Sequence, residues 1–267
     1  MKRRALTART ADKFALYETS VQSPALEVDF IERSFRKVRG RAALSAREDF
    51  CGSASFACEW VKRADSHKAL GLDLDAHVLR WAKEHHLQTL DRATRSRVEL
   101  RRQDVLVATR ERFDVCVAFN YSYSVFKTRD ALRAYFKQAR RALVPDGILY
   151  LDLLGGALVQ QTCVDTHTLP GFSYVWEQAA YNPIDASFLC HIHFRFPDGS
   201  RINRAFTYDW RLWTLPELRE LLGEAGFSSS AVYWEDSNKR GEPTGKFRER
   251  SSAVNDLSWN AYILALR

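Results

Sequence analysis

Two acidic residues, each at the end of a predicted strand, carry the first chemical signal in this sequence. Glu48 begins a turn over residues 48–54, and Asp73 follows that turn after about 20 residues. Gly52, inside the turn, has no side chain to block a ligand from the backbone. A carboxylate in the position of Asp73 can accept hydrogen bonds from both hydroxyls of a ribose. These residues therefore predict a nucleoside site.

The same turn excludes two common phosphate-binding loops. A dinucleotide fingerprint needs three glycines, and two of the three are missing here. A phosphate loop needs Gly-Lys followed by Ser or Thr, which the turn also lacks. The predicted ligand is a nucleoside that makes no demanding phosphate contacts.

The elements that must position these residues alternate between helices and strands. Apolar residues at helical spacing predict helices over residues 26–38, 55–63, 77–90 and 129–143. Short apolar runs predict strands over residues 68–74, 98–100, 113–119 and 147–153. Near-continuous apolar strands separated by helices are typical of a parallel sheet covered on both faces.

A different pattern runs from about residue 172 to residue 211, where apolar and polar residues alternate as in a half-buried antiparallel strand. Pro197-Asp198-Gly199 predicts a turn. With Gly199 in the left-handed conformation, the pairing register places four residues near the apolar face of the preceding strand, namely Ile202, Phe206, Tyr208 and Trp210. We expect this hairpin to cover the parallel sheet. Thr214 and Glu217 then form a capping box that starts a helix, and two strands over 230–234 and 259–266 follow.

In this order and spacing, the segments resemble the class I S-adenosylmethionine-dependent methyltransferases, over roughly residues 43–155 and again over 212–267. The family's first turn reads acidic-x-Gly-x-Gly-x-Gly, of which this chain keeps only the central glycine, with Phe50 and Ala54 as departures. Asp73 matches the family's ribose-binding acid, and Asp104 matches the residue near the adenine amino group. The segment 142–149 is similar to the family's turn into the fifth strand, and the late helix at 213–218 resembles that of small-molecule members.

The resemblance implies S-adenosyl-L-methionine as cofactor and S-adenosyl-L-homocysteine as product. It also implies a set of cofactor-binding residues, which are Tyr17, Glu48, Phe50, Cys51, Gly52, Ser53, Asp73, Leu74, Asp104, Val105 and Asn120. Cys51 is interpreted as a packing residue, because transfer of a methyl group to a nucleophilic acceptor needs no enzyme thiol.

The resemblance places the methyl acceptor after the fourth strand, at Asn120-Tyr121-Ser122-Tyr123. Tyr121 and Tyr123 are the candidates for orienting the acceptor, and Tyr17 is the candidate for closing over the cofactor. The alternative is that all three are packing tyrosines. Adenine N6 enzymes that act on nucleic acid have two prolines at this strand end, and this segment has none, which disfavours that subclass.

Two histidines on the predicted hairpin extend the list of catalytic candidates. If their face of the strand points at the site, His191 or His193 can serve as a general base, and His191 is the primary candidate. Their spacing is also compatible with a metal, but no third ligand is evident, so no metal is predicted. The alternative is that they are polar residues on the outer face of the hairpin.

Composition limits the classes of protein to which this chain can belong. The chain has 267 residues, 46% of them hydrophobic, five scattered cysteines and a net charge of +7. Such a chain buries a core without disulfides, and it contains no long apolar run, so we expect a reduced cytoplasmic protein without membrane contact. The positive charge, part of it at Lys2, Arg3 and Arg4, permits a nucleic-acid partner without favouring one.

The resulting prediction is a Rossmann-like α/β fold with a mostly parallel seven-stranded sheet and helices on both faces. The single domain divides into an N-terminal helical cap (1–42), a cofactor-binding core (43–155), an antiparallel lid insertion (156–211) and a C-terminal part that completes the sheet (212–267). The predicted function is methyl transfer to a nitrogen or oxygen of a small molecule, by a monomer or homodimer. The alternatives are a methyltransferase acting on RNA or protein, and a non-catalytic nucleoside-binding scaffold.

Overall fold

The computed structural model describes residues 6–238 and 243–267, so the basic residues Lys2, Arg3 and Arg4 lie outside the described part. The helices are α1 (Lys13–Val21), α2 (Pro24–Arg39), α3 (Ser55–Arg63), α4 (Ala76–His85), α5 (Arg92–Arg95), α6 (Arg129–Ala142) and α7 (Leu215–Glu224). Short 3-10 turns occupy Leu87–Thr89, Ser122–Val125 and Ala157–Gln160. None of the helices in the described ranges is long and apolar enough to cross a membrane.

The larger of two sheets forms the core. Its strands are β1 (Ser45–Asp49), β2 (Lys68–Asp73), β3 (Val98–Arg102), β4 (Phe113–Ala118), β5 (Leu143–Gly155), β10 (Ser229–Ser237), β11 (Pro243–Glu249) and β12 (Trp259–Leu266). They lie in the order β11-β10-β12-β5-β4-β1-β2-β3. Strands β1 to β5 pair in parallel, and β12 is antiparallel to both of its neighbours.

The α/β class, the mostly parallel sheet and the helical layers are confirmed. The sheet has one strand more than the predicted seven, because β11 pairs with β10 at the edge. Strand β11 is a largely exposed edge segment whose residues lack the apolar alternation of a half-buried strand. Its pairing with β10 comes from backbone hydrogen bonding, which the side-chain pattern does not reveal.

Helices cover both faces of this sheet. Helices α2 and α3 bury Ile31, Phe35 and Trp60 against one face, and α6 and α7 bury Phe136 and Leu221 against the other. The strand order changes direction between β1 and β4. In parallel α/β sheets, ligands bind at the carboxyl ends of the strands beside such a point, so the ends of β1 and β4 are the expected location of a site.

A second, antiparallel sheet follows β5 and is here called the lid. It consists of β6 (Cys163–Leu169), β7 (Phe172–Asn182), β8 (Ser187–Arg195) and β9 (Arg201–Arg211), paired in that order. The predicted facing of β8 and β9 is observed, with Phe194 opposite Ile202 and Cys190 opposite Tyr208, and a bulge between Ile192 and Phe194 shifts the register between these pairs. Gly199, at φ 83°, has the predicted left-handed conformation. Strands β6 and β7 complete the lid as a four-stranded sheet.

Helix α1 connects the core to the lid. The Asp12 carboxylate, at its N-cap, accepts a hydrogen bond of 2.7 Å from the indole N–H of Trp81 in α4, and Lys13 donates to the carbonyl of Ala205 in the lid. Glu18 pairs with His86 at 2.6 Å, which fixes the other end of the helix to the core. These contacts hold α1 on two sides, and Tyr17 between them lines a cavity together with Asp73 and Asn120 at the carboxyl ends of the strands.

Candidate active site

Three residues of the turn after β1 have a left-handed backbone conformation. Phe50, Gly52 and Ala54 have φ values of 58°, 51° and 58°, and α3 begins directly afterwards. Positive φ costs a non-glycine residue about 1–2 kcal/mol. Phe50 and Ala54, the two departures from the glycine pattern, therefore still adopt the left-handed conformation that glycine adopts most readily.

Asp73, at the end of β2, is fixed beside this turn. Its Oδ2 accepts a hydrogen bond of 2.8 Å from the Gly52 N–H, and its Oδ1 accepts one of 2.8 Å from the Asp75 N–H. A carboxylate oxygen can accept more than one hydrogen bond, so both oxygens retain capacity for ligand hydroxyls. Nothing lies within 4 Å of the place where a Cβ of residue 52 would stand, so the backbone there is open to a ligand.

A cavity of about 250 Å³, here called the core cavity, opens above this turn. Eight of the predicted cofactor-binding residues line it: Tyr17, Glu48, Phe50, Cys51, Gly52, Ser53, Asp73 and Asn120. Its wall also contains Gln22, Phe206 and Tyr208, which are not among the predicted cofactor-binding residues. The Gln22 side-chain oxygen accepts hydrogen bonds from the hydroxyls of Ser53 and Ser55, so the segment after α1 closes one side.

Glu48 lines the core cavity. Its Oε2 accepts a hydrogen bond of 3.1 Å from the Ala57 N–H in the first turn of α3. Burial, together with the nearby carboxylates of Glu27, Asp73 and Asp49, raises the pKa of Glu48 well above its usual range. Burial likewise raises the pKa of the Cys51 thiol, which keeps this cysteine protonated and agrees with a packing role.

Three predicted cofactor-binding residues are absent from the wall of the core cavity. Leu74 is 62% exposed. Asp104 uses its Oδ1 to accept a hydrogen bond from the Leu106 N–H, which stabilises a local turn. Val105 is buried, and its carbonyl accepts a hydrogen bond from Arg47. In this structure Leu74 lies directly after β2, Asp104 and Val105 lie in the loop after β3, and none of the three lines the core cavity.

A second cavity of about 600 Å³, here called the lid cavity, lies between the lid and the ends of β4, β5 and β12. Tyr17, Asn120 and Tyr208 line both cavities, so the two spaces adjoin at these residues. The core contributes Tyr121 and Asn260, and the lid contributes Trp176 and other aromatic residues. A group in one cavity can therefore approach a group in the other.

Asp152, which the sequence analysis did not select, holds the strand end at this junction. Its carboxylate oxygens accept hydrogen bonds of 2.7 Å from the Asn120 N–H and 2.9 Å from the Tyr121 N–H. Both donors have φ 56°. Burial raises the pKa of Asp152 to about 7, although the two N–H groups oppose that shift. The signal in the sequence was an acidic residue inside the apolar run 147–153.

The two neighbouring tyrosines after β4 have different environments. Tyr121 lines the lid cavity, and its hydroxyl donates a hydrogen bond of 2.8 Å to the Asn260 side chain. Tyr123 is 0% exposed, packs against Phe136 and donates its hydroxyl to the carbonyl of Asp152 at 2.6 Å. The expectation that Tyr123 orients an acceptor is therefore corrected, because the 3-10 turn at 122–125 directs its ring into the core.

His191 is also corrected as a catalytic candidate. In β8 it alternates with Cys190 and Ile192, and Ile192 lines the lid cavity while His191 belongs to the opposite face of the strand. Its Nδ1 hydrogen-bonds the Thr207 hydroxyl at 2.9 Å, and it is 4% exposed. His193 shares that face and pairs with Glu177 at 2.8 Å. Within the described ranges, no cluster of three or more His, Cys, Asp or Glu residues could hold a metal.

Comparison with known proteins provides an independent view of this fold. Residues 50–147 match a family model described as a methyltransferase domain. A search of curated proteins finds no match. An S-adenosylmethionine-dependent methyltransferase from Clostridium acetobutylicum superposes with a TM-score of 0.70 at 16% identity, covering 95% of this chain and 97% of that chain.

Two further solved structures are similar over nearly the whole chain. CalS10, an amino pentose methyltransferase from Micromonospora echinaspora, has a TM-score of 0.67 at 14% identity and covers 95% of each chain. KedS8, a sugar N-methyltransferase from Streptoalloteichus, has a TM-score of 0.64 at 15% identity, covering 100% of this chain and 96% of that chain. Residues 50–147 therefore resemble a methyltransferase domain, and the chain shares the fold of these three solved methyltransferases.

Proposed function

We propose that this protein transfers a methyl group from S-adenosylmethionine to a nitrogen or oxygen of a small molecule. The observation that carries the proposal is the pair of adjoining cavities with Tyr17, Asn120 and Tyr208 in both walls. One cavity suits a nucleoside cofactor and the other an acceptor, and methyl transfer requires the two to meet. The match to a methyltransferase domain supports this assignment.

The residues of the core cavity fit the nucleoside cofactor. Asp73, positioned by the N–H groups of Gly52 and Asp75, would hold the ribose hydroxyls. The open backbone at Gly52 leaves room for close approach. When bound, S-adenosylmethionine would supply a methyl group that its sulfonium has already activated.

The contribution of the protein is then positioning. Transfer requires the acceptor atom to lie in line with the methyl carbon and the sulfur at near-attack distance. Asn120 and Tyr121, fixed through their N–H groups by Asp152, offer a rigid surface at the junction. The lid and α1 cover that junction, which favours a compact acceptor enclosed away from water. Because cap, core and lid each supply part of the walls, we propose that they work as one domain.

Calorimetric titration with S-adenosylhomocysteine tests the cofactor assignment, with NAD and ATP as controls. We expect micromolar binding of S-adenosylhomocysteine and no comparable heat from the other two. A folded protein that binds none of the three would contradict the proposal and support a scaffold role. If S-adenosylhomocysteine binds, amines, phenols and carboxylates can be tested as acceptors by mass spectrometry of the methylated product.

A further inference from the structure

The wall of the lid cavity has an unusual chemical composition. Six aromatic side chains line it: Tyr17, Tyr121, Tyr174, Trp176, Tyr208 and Trp210. Tyr208 and Trp210 stack with ring centroids 4.4 Å apart, and Trp176 lies 6.1 Å from Tyr208 and 6.4 Å from Trp210. Aromatic faces carry negative potential, so such a wall attracts a cation or packs against an apolar body.

The charged residues of this cavity also favour a cation over an anion as ligand. Its only acidic lining residue within the described ranges is Asp165, which pairs with His167 at 2.9 Å. Across residues 6–238 and 243–267, no lysine or arginine lines the cavity, although the chain has 40 such residues. A phosphate or carboxylate would find no cationic partner in this wall, and anion recognition normally uses one.

Acidic side chains also lie directly behind the junction. Asp152 accepts hydrogen bonds from the two backbone N–H groups of residues that line the lid cavity, and Glu27 is close enough to interact electrostatically with it. Because these hydrogen bonds are direct, the Asp152 carboxylate lies immediately behind Asn120 and Tyr121 in the wall of the lid cavity. In its ionised form, Asp152 would stabilise a cation in that space and repel an anion.

The same wall offers little help to an alcohol or phenol acceptor. Oxygen acceptors benefit from a base or a charge partner. Burial raises the pKa of Tyr17 to about 12 and those of Tyr121, Tyr174 and Tyr208 above their usual range, so none of these supplies a phenolate at neutral pH. His167 pairs with Asp165 through its Nε2, and both side chains are more than half exposed to solvent, so this pair is not enclosed with the acceptor. An amine needs no such partner once it has lost its extra proton.

From this wall we infer that the acceptor is an amine on a compact apolar or aromatic body, without phosphate or carboxylate groups. The inference rests on the proposed function and narrows the acceptor atom to nitrogen. In the transfer, the nitrogen lone pair forms the new N–C bond while the C–S bond breaks and its electrons pass to sulfur. The nitrogen then releases one proton to water, which restores a neutral amine in equilibrium with its ammonium form.

The test uses three probes that share a ring and a chain and differ only in the terminal group: phenethylamine, 2-phenylethanol and phenethyl phosphate. Their binding to the protein saturated with S-adenosylhomocysteine is measured by ligand-observed NMR titration. We expect the amine to bind at least about tenfold more tightly than the phosphate and more tightly than the alcohol. Equal or tighter binding of the phosphate or the alcohol, or no detectable amine binding at millimolar concentration, overturns the inference.

A set of tryptophan variants locates the binding. Trp176→Leu should lower the affinity for phenethylamine by about twofold to thirtyfold. Trp176→Phe keeps an aromatic face and should retain most of the wild-type affinity. Trp234→Leu is the matched control, because Trp234 packs against Trp259 with ring centroids 4.5 Å apart and lines a separate groove beside α7. A Trp234→Leu variant that loses as much amine affinity as Trp176→Leu would overturn the assignment to the lid cavity.

Saturation with S-adenosylhomocysteine separates this inference from the proposed function. If the protein does not bind S-adenosylhomocysteine, the proposed function fails. If it binds S-adenosylhomocysteine without preferring the amine, only the acceptor class fails.

Discussion

Asp152 holds Tyr121 at the junction of the two cavities by accepting a 2.9 Å hydrogen bond from its backbone N–H. Asp152 belongs to β5 and Tyr121 follows β4, so the contact joins the ends of two neighbouring parallel strands. The carboxylate also accepts the N–H of Asn120, and both donors have the left-handed backbone conformation. The shape of the acceptor surface therefore depends on one buried acidic side chain.

The pH dependence of stability should reveal this group. The pKa of Asp152 is about 7 in the folded protein against an ordinary value of 3.8, so the folded state binds its proton more tightly than the unfolded state. The stabilising contribution is complete below about pH 4 and is lost as the pH rises through 7. Between pH 4 and pH 8, we expect the wild type to lose roughly 3–4 kcal/mol of unfolding free energy relative to Asp152→Asn.

Urea denaturation at several pH values measures this shift. Glu27, whose pKa burial and Asp152 raise to about 8, titrates in the same direction, so Glu27→Gln and the double variant serve as controls. A wild-type and an Asp152→Asn curve that remain parallel from pH 4 to pH 8 would show that Asp152 ionises normally.

Asp73 is the residue on which the cofactor assignment depends. Asp73→Ala removes the acceptor for the Gly52 N–H and the proposed partner of the ribose, and each charge-assisted hydrogen bond contributes about 1.5–3 kcal/mol. Affinity for S-adenosylhomocysteine, measured by calorimetry, should fall at least about tenfold. Asp104→Ala is the control, because Asp104 lies outside the wall of the core cavity. Unchanged affinity in Asp73→Ala would refute the ribose role.

Tyr121 and Tyr123 should respond differently to loss of the hydroxyl. Tyr121→Phe breaks the bond to Asn260 in the lid cavity, so turnover should fall more than cofactor affinity. Tyr123→Phe breaks a buried bond to the Asp152 carbonyl, so the unfolding free energy should fall by about 0.5–1.5 kcal/mol with cofactor affinity unchanged. Both are measured by calorimetry, denaturation and product formation. Equal losses of turnover and cofactor affinity in Tyr121→Phe would make Tyr121 structural.

His191 should be dispensable for chemistry. Loss of a general base lowers turnover by about 10²–10⁴-fold, whereas His191 lies on the lid face opposite the cavity. We expect His191→Gln to retain turnover within about threefold and to leave its pH profile unchanged once the folded fraction is taken into account. A hundredfold loss with unchanged folding would restore His191 as a catalytic candidate.

A buried ion pair in β1 should dominate the stability of the core below the site. Arg47 and Asp49 are 0% and 1% exposed, are 2.6 Å apart, and Asp49 also accepts the Tyr135 hydroxyl at 2.9 Å. Asp49→Asn leaves the Arg47 charge buried without its counter-charge, which costs about 3–5 kcal/mol. The exposed pair Arg133–Asp130 is the control, where Asp130→Asn should cost less than about 1 kcal/mol. Similar denaturation midpoints for the two variants would contradict this account.

Local sequence determined the elements and much of their pairing. Helical periodicity identified α2, α3, α4 and α6, and the capping box of Thr214 and Glu217 marks the observed start of α7. The turn at Gly199 fixed the register of β8 and β9 next to it, because a hairpin's pairing follows from its loop length and the conformation of its turn, and a bulge between Ile192 and Phe194 then shifts the register. These features depend on neighbours along the chain, which the sequence displays directly.

Tertiary structure decided which of these residues reach the site. Alternation in β8 separates His191 from Ile192, but only the placement of the lid determines which face meets the cavity. Tyr121 and Tyr123 are the same residue type two positions apart. The left-handed turn fixed by Asp152 directs Tyr121 to the cavity and Tyr123 to the core. Asp152 and Gln22 act through contacts distant in sequence, and periodicity carries no information about such contacts. The sequence thus specifies which residues share a face, and the packing of the elements decides what each face meets.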